Sequence, residues 1–124
     1  MKDIKLRKLR KKPLKNILVK WLTGAIDERE ARDRAELIRY YYRCNQCRYT
    51  KCQYQSILEE ALCLLDSLHF DLITVEDIPE FIKFIDTDPG SCQDAWRDWK
   101  KYWEKVDFEA RKKQLADNLF YITN

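Results

Sequence analysis

The sequence predicts an all-α protein, a compact bundle of about five to six helices behind a basic N-terminal arm. Its 124 residues include only two glycines and three prolines, too few turn formers for a series of hairpins. No stretch sustains the period-two alternation of a half-buried strand, whereas apolar residues recur three and four apart through most of the chain. A chain of this length buries about two-thirds of the surface its unfolded form exposes, which supports one modest core. The expected organisation is therefore a basic arm over residues 1–12 and a single helical domain over residues 13–124.

The elements follow in order. Leu14, Ile17, Leu18, Trp21 and Leu22 share a helical face, Pro13 suits a first turn, and Gly24 ends the segment, which predicts a helix over residues 13–22. Asp27 and Glu30 have capping-box spacing, and Ala31, Ala35, Ile38, Tyr42 and Tyr49 then follow one stripe. Ile57, Leu58, Ala61, Leu62, Leu64, Leu65 and Leu68 lie out of phase with that stripe, so a break or kink is expected over residues 50–56. Residues 69–72 read as a turn. Thr74 can cap a helix with Pro79 in its first turn and Ile78, Phe81, Ile82, Phe84 and Ile85 along it. The DTDPG run over residues 86–90 is a loop signal, after which Ser91 with Asp94 can cap a helix carrying Trp96, Trp99 and Trp103. Asp107 opens a last helix through Ala110, Leu115, Leu119 and Phe120.

Charge is distributed unevenly. Lys2, Lys5, Arg7, Lys8, Arg10, Lys11, Lys12, Lys15 and Lys20 crowd the first twenty residues against Asp3 alone, although the whole chain carries only +3. Residues 39–54 (RYYYRCNQCRYTKCQY) contain no acid and interleave Arg39, Arg43, Arg48 and Lys51 with five tyrosines. Residues 59–98 reverse the sign, with eleven acids against Lys83 and Arg97, so one basic and one acidic side are expected. Such polarity points to a polyanionic partner.

Lysines spaced along an arm neutralise phosphates without needing fixed geometry. Flat phenol rings stack on unpaired bases while neighbouring guanidiniums grip phosphate. The candidate nucleic-acid contacts are Lys5, Lys8, Lys11, Lys12, Lys15, Arg39, Tyr40, Tyr41, Arg43, Arg48 and Lys51. Consecutive helical residues point about 100° apart, so Tyr40, Tyr41 and Tyr42 cannot all face a core, and Tyr40 is the one expected on display. The expected function is a noncatalytic nucleic-acid-binding protein that contacts the backbone of single-stranded nucleic acid, RNA or an RNA-containing complex, within a ribonucleoprotein or defence-type assembly that supplies protein partners. In size, expected helicity and polarity the chain is similar to the small helical subunits of CRISPR effector complexes, without a motif diagnostic of them.

Other readings remain open. The acidic side and the Trp helix would suit a protein-interaction module, such as a viral or phage accessory factor, and the arm could rest on anionic lipid, although no membrane partner is expected. Cys44-x-x-Cys47 has the spacing of half a zinc site, with Cys52 a possible third thiolate, which would make a zinc-stabilised regulator; no second close pair follows, so no cofactor is expected. The run CNQCRYTKC, residues 44–52, resembles the end of the second zinc finger of nuclear-receptor DNA-binding domains. That resemblance implies metal ligation by Cys44 and Cys47 but not Cys52; it spans nine residues, and the first finger has no counterpart here. With no secretory leader in view, the five cysteines suggest a reduced, intracellular setting.

Two expectations concern ordinary packing. The Trp stripe should face the core against Phe81, Ile82, Phe84 and Ile85, and Glu76, Asp77 and Glu80 should form a solvated face. His69, the only histidine, should make a local polar contact. No glycine-rich phosphate loop and no nucleophile with an evident base is present, so the chain is not expected to be an enzyme.

Overall fold

The apolar spacing becomes six α-helices and no strand in the computed structural model, which describes residues 9–41 and 53–121. They are α1 (Lys11–Leu22), α2 (Glu28–Tyr41), α3 (Gln53–Asp66), α4 (Ile78–Ile85), α5 (Cys92–Lys105) and α6 (Phe108–Gln114). Helix α3 is the axis of the bundle and packs against α1, α2, α4 and α5. It can do so because Ile57, Leu58, Ala61, Leu62 and Leu65 are all buried, giving it one continuous apolar face about 140° wide. Among the described residues no helix is long and apolar enough to cross a membrane.

Helix α1 starts at Lys11, so Lys11 and Lys12 are helical and Pro13 is the third residue, still in the first turn where its missing N–H costs no intrahelical bond. Leu14, Ile17, Leu18 and Trp21 are buried, as the spacing predicted, whereas Leu22, expected on the same face, is exposed in the last turn. The chain leaves α1 through Gly24 at φ 84°, and Ile26 N–H closes the turn on Lys20 O at 3.2 Å. A Cβ at Gly24 would meet no atom within 4 Å, so only backbone strain opposes a side chain there. Gly24→Ala should therefore cost about 1 kcal/mol, while Gly90→Ala, at ordinary φ and in open space, should stay within about 0.5 kcal/mol. Urea unfolding of the two variants checks this; equal effects would contradict it.

Asp27 Oδ1 accepts the Glu30 N–H at 2.9 Å and opens α2, whose buried Ala31 and Ala35 allow α3 to approach closely. Helices α2 and α3 are separate elements, and the Tyr42 and Tyr49 positions of the predicted stripe lie outside the described residues. After α3 the chain turns over residues 67–72 and ends in Leu72 at φ 57°, a left-handed conformation usually left to glycine. Ile73 N–H reaches back to Leu68 O at 2.9 Å, the long bond of a Schellman-type closure. Arg111 Nη1 donates to Leu72 O at 3.0 Å and Tyr121 Oη to Ile73 O at 2.6 Å, which holds the strained turn in place.

A short 3₁₀ turn, Val75–Asp77, leads into α4, where Ile78, Phe81, Phe84 and Ile85 are buried and Pro79 occupies the first turn. Ser91 does not cap α5 through its side chain. It belongs instead to a 3₁₀ turn, Pro89–Ser91, where its backbone leaves the extended conformation an N-cap needs. On α5, Trp99 is 3% exposed and Trp96 and Trp103 are half-buried, so the Trp stripe packs on the core. Trp99 stacks on Phe84, with centroids 4.0 Å apart at 7°, and meets Phe81 edge-on at 5.0 Å. Asp107 Oδ1 accepts the Ala110 N–H at 3.0 Å and opens α6. That helix stops at Gln114, short of Leu119 and Phe120, and the chain goes on in tighter turns, Ala116 N–H to Lys113 O at 3.3 Å and Asn118 N–H to Leu115 O at 3.0 Å, with Asn118 Oδ1 accepting the Phe120 N–H at 3.0 Å. Leu119, expected on the helical face, is 80% exposed.

Candidate functional site

The apolar face of α1 fixes the directions of its lysines. With Leu14, Ile17 and Leu18 inward, Lys11 and Lys15 lie one turn apart on the outer surface and close on Asp86, just past the end of α4. Lys11 Nζ is 3.3 Å from Asp86 Oδ1 and Lys15 Nζ 2.8 Å from Oδ2. The hydrogen bond from Lys15 is the main reason that the Asp86 carboxyl titrates below its ordinary range; burial works against this and Lys11 adds to it. Lys12 is exposed.

Two contacts involve described residues at the margins of the basic segments. Gln55 Nε2, in the first turn of α3, lies 3.4 Å from Leu9 O, which places a residue of the arm against the residue following the Tyr/Arg stretch. Tyr54 Oη donates to Ile85 O at 2.7 Å, one residue from Asp86. Tyr54 therefore ties α3 to the end of α4, and burial, followed by the charge of Asp86, pushes its phenol pKa upward. Tyr40 is 77% exposed, the displayed ring the helical directions predicted. Arg39 Nη1 meets Asp66 Oδ2 at 2.5 Å at the end of α3. Tyr41 closes α2. Lys5, Lys8, Arg43, Arg48 and Lys51 lie outside the described residues, as do Cys44, Cys47 and Cys52. Among the described residues, no three histidine, cysteine or acidic side chains are grouped to hold a metal ion.

Basic and acidic surfaces adjoin. Glu80, Asp86, Asp88, Asp94 and Asp98 line one groove with Lys83, so the carboxylate held by the α1 lysines is also part of the acidic wall. The two sides meet there because α1 packs on α4 and the loop after α4 carries its acids back over the start of α1.

The expectation that Asp77 belongs to a solvated face is overturned. Asp77 is 0% exposed and paired in two-pronged fashion with Arg111, Nη1 to Oδ2 and Nη2 to Oδ1 both at 2.7 Å. The Thr74 N–H donates to Oδ2 at 2.9 Å, and Tyr102 Oη donates to Oδ1. Burial, then the bond to Asp77, pushes the Tyr102 phenol up to about 12. The sequence did hold a signal: Asp77 lies four residues before Phe81 and eight before Ile85, in phase with the buried face of α4. Glu76, one step off that phase, is exposed. His69 also departs from expectation, since its Nδ1 is buried without a hydrogen-bond partner and its ring packs against Phe70 and Phe120, with centroids 4.1 and 5.5 Å away. Burial, then the charge of Arg32, lowers its pKa.

The Asp77 and Arg111 charges are consumed internally, whereas, among the described residues, the outer cations of α1, the ring of Tyr40 and the acidic groove face solvent. No protein-family model, curated protein or solved structure matches the chain.

Proposed function

We propose that this protein is a noncatalytic nucleic-acid-binding module that grips the backbone of single-stranded nucleic acid, RNA or an RNA-containing complex, inside a larger assembly. The observation that carries the reading is the approach of Leu9 to Gln55, two residues more than forty positions apart in sequence, because Leu9 belongs to the basic arm and Gln55 directly follows the acid-free stretch. Lys11, Lys12 and Lys15 flank that junction on α1, and the acid-free stretch over residues 39–54 adjoins it in sequence. Tyr40 supplies a solvent-facing ring on which a base can stack.

Fluorescence anisotropy with a labelled single-stranded RNA tests the proposal. Affinity should fall with salt, log K against log salt having a slope of about −0.7 per phosphate engaged. Replacing Arg43 and Arg48 with alanine should weaken binding to all sequences alike and make that slope shallower by about 0.7 for each phosphate no longer neutralised. Tyr40→Ala should weaken binding by about tenfold, the worth of one modest base stack, with circular dichroism unchanged. Affinity that is indifferent to salt would sink the reading.

A protein-interaction module is the second reading, favoured by the acidic groove beside α5 and the 63% exposure of Phe70. It requires indifference to nucleic acid. A zinc-stabilised regulator would instead carry stoichiometric metal lost on replacing Cys44 and Cys47, which metal analysis of the same preparation decides.

A further inference from the structure

We propose that the cavity beside the turn after α3, walled by the end of α5 and the start of α6, binds a small organic ammonium ion. The cavity measures about 470 Å³, within the range of small-molecule sites. Three aromatic side chains, Phe70, Trp103 and Phe108, share its wall with two carboxylates, Glu60 and Asp71; the rest of the lining is aliphatic, without a basic side chain. Aromatic faces attract cations through their quadrupole, and the attraction grows where water is excluded. A methylated ammonium is favoured over a bare one because it is less strongly hydrated and gives up less on entering an apolar wall.

Both carboxylates are positioned without being neutralised. Glu60 Oε2 accepts the Trp99 indole N–H at 3.0 Å, and Asp71 Oδ2 accepts the Ser67 hydroxyl at 2.8 Å. These are neutral donors, so the negative charge remains to be matched. The Phe108 ring already attracts one cation, the Arg111 guanidinium carbon 5.8 Å from its centroid, and that charge is balanced by Asp77. Phe108 and Trp103 lie nearly parallel at 16°, and the turn bearing Phe70 is fixed by the bonds to Leu72 O and Ile73 O, so the wall is in place before a ligand arrives. A neighbouring cavity shares Phe70 and Leu72 but is lined by Lys112 and His69, which leaves the carboxylate pair as the feature selecting for a cation.

Choline and its uncharged carbon analogue 3,3-dimethylbutan-1-ol, equal in shape, separate charge from size. Titrations at matched ionic strength, followed by the indole N–H resonance of Trp103, should show choline binding about tenfold more tightly. Phe70→Ala, at an exposed position, should weaken choline binding several-fold without changing the melting temperature, and Glu60→Gln should narrow the gap between the two probes while keeping an acceptor for Trp99. Equal affinity for both probes, no response to either, or choline binding undiminished in Phe70→Ala would overturn the proposal. These outcomes do not depend on nucleic-acid binding, which uses other residues.

Discussion

Asp77→Ala should lower the unfolding free energy by about 3–5 kcal/mol, because it leaves the Arg111 guanidinium buried without its counter-charge. Arg111 is 8% exposed, and two of its donors point at Asp77. The same substitution strands the Thr74 N–H and the Tyr102 hydroxyl, whose acceptor disappears. A small domain has about 5–15 kcal/mol in total, so the variant should be near the edge of folding. Urea unfolding followed by circular dichroism measures the effect. The paired replacement Asp77→Leu with Arg111→Met should cost much less than the sum of the single changes, because neither charge is then left alone. A loss below about 1 kcal/mol for Asp77→Ala would mean that Arg111 escapes to water and the pair is not structural.

Trp99→Ala should cost a comparable 3–5 kcal/mol, roughly, through the cavity it opens. The ring lies flat on Phe84, edge-on to Phe81 and edge-on to Trp103, so its removal strips packing from three aromatic neighbours at once. Its N–H also leaves Glu60, whose position then loosens. Thermal unfolding of Trp99→Ala beside Trp99→Phe makes the comparison, and the phenylalanine variant should recover much of the loss. Wild-type stability in Trp99→Ala together with loss of a partner would make the stripe a recognition surface and favour the protein-interaction reading.

Periodicity made the helical elements legible, and it did so where apolar spacing and a cap agreed. Leu14 to Trp21, Ile57 to Leu68 and Phe81 to Ile85 face inward as their spacing requires, and Asp27 and Asp107 start their helices with the expected bonds. The failures came from one distant partner and from local turns that compete with helix geometry. Asp77 resembles its acidic neighbours until Arg111, thirty-four residues on, is brought against it. Ser91 has the chemistry of a cap but is held in a preceding 3₁₀ turn, and the last helix gives way after Gln114 to a run of local turns. At the candidate site, the displayed Tyr40 was legible from helical directions alone. The engagement of Lys11 and Lys15 by Asp86 was not, since it depends on how α1 packs against α4.

Lys11 and Lys15 already hold an anion, and it is a tethered one. A carboxylate attached to the same molecule competes at an effective concentration on the order of millimolar or higher, which a dissolved monophosphate seldom matches. A lone phosphate therefore gains little by replacing Asp86. A phosphodiester chain that also engages Lys12 and the cations of the neighbouring segment spreads the eviction of one carboxylate over several contacts. The displaced Asp86 would then recruit a cation from solution and return toward an ordinary affinity for protons, so net ion release would be smaller than the lysine count implies. Under the proposed function Asp86 is a valency filter, rejecting small anions and admitting long ones before any base is stacked.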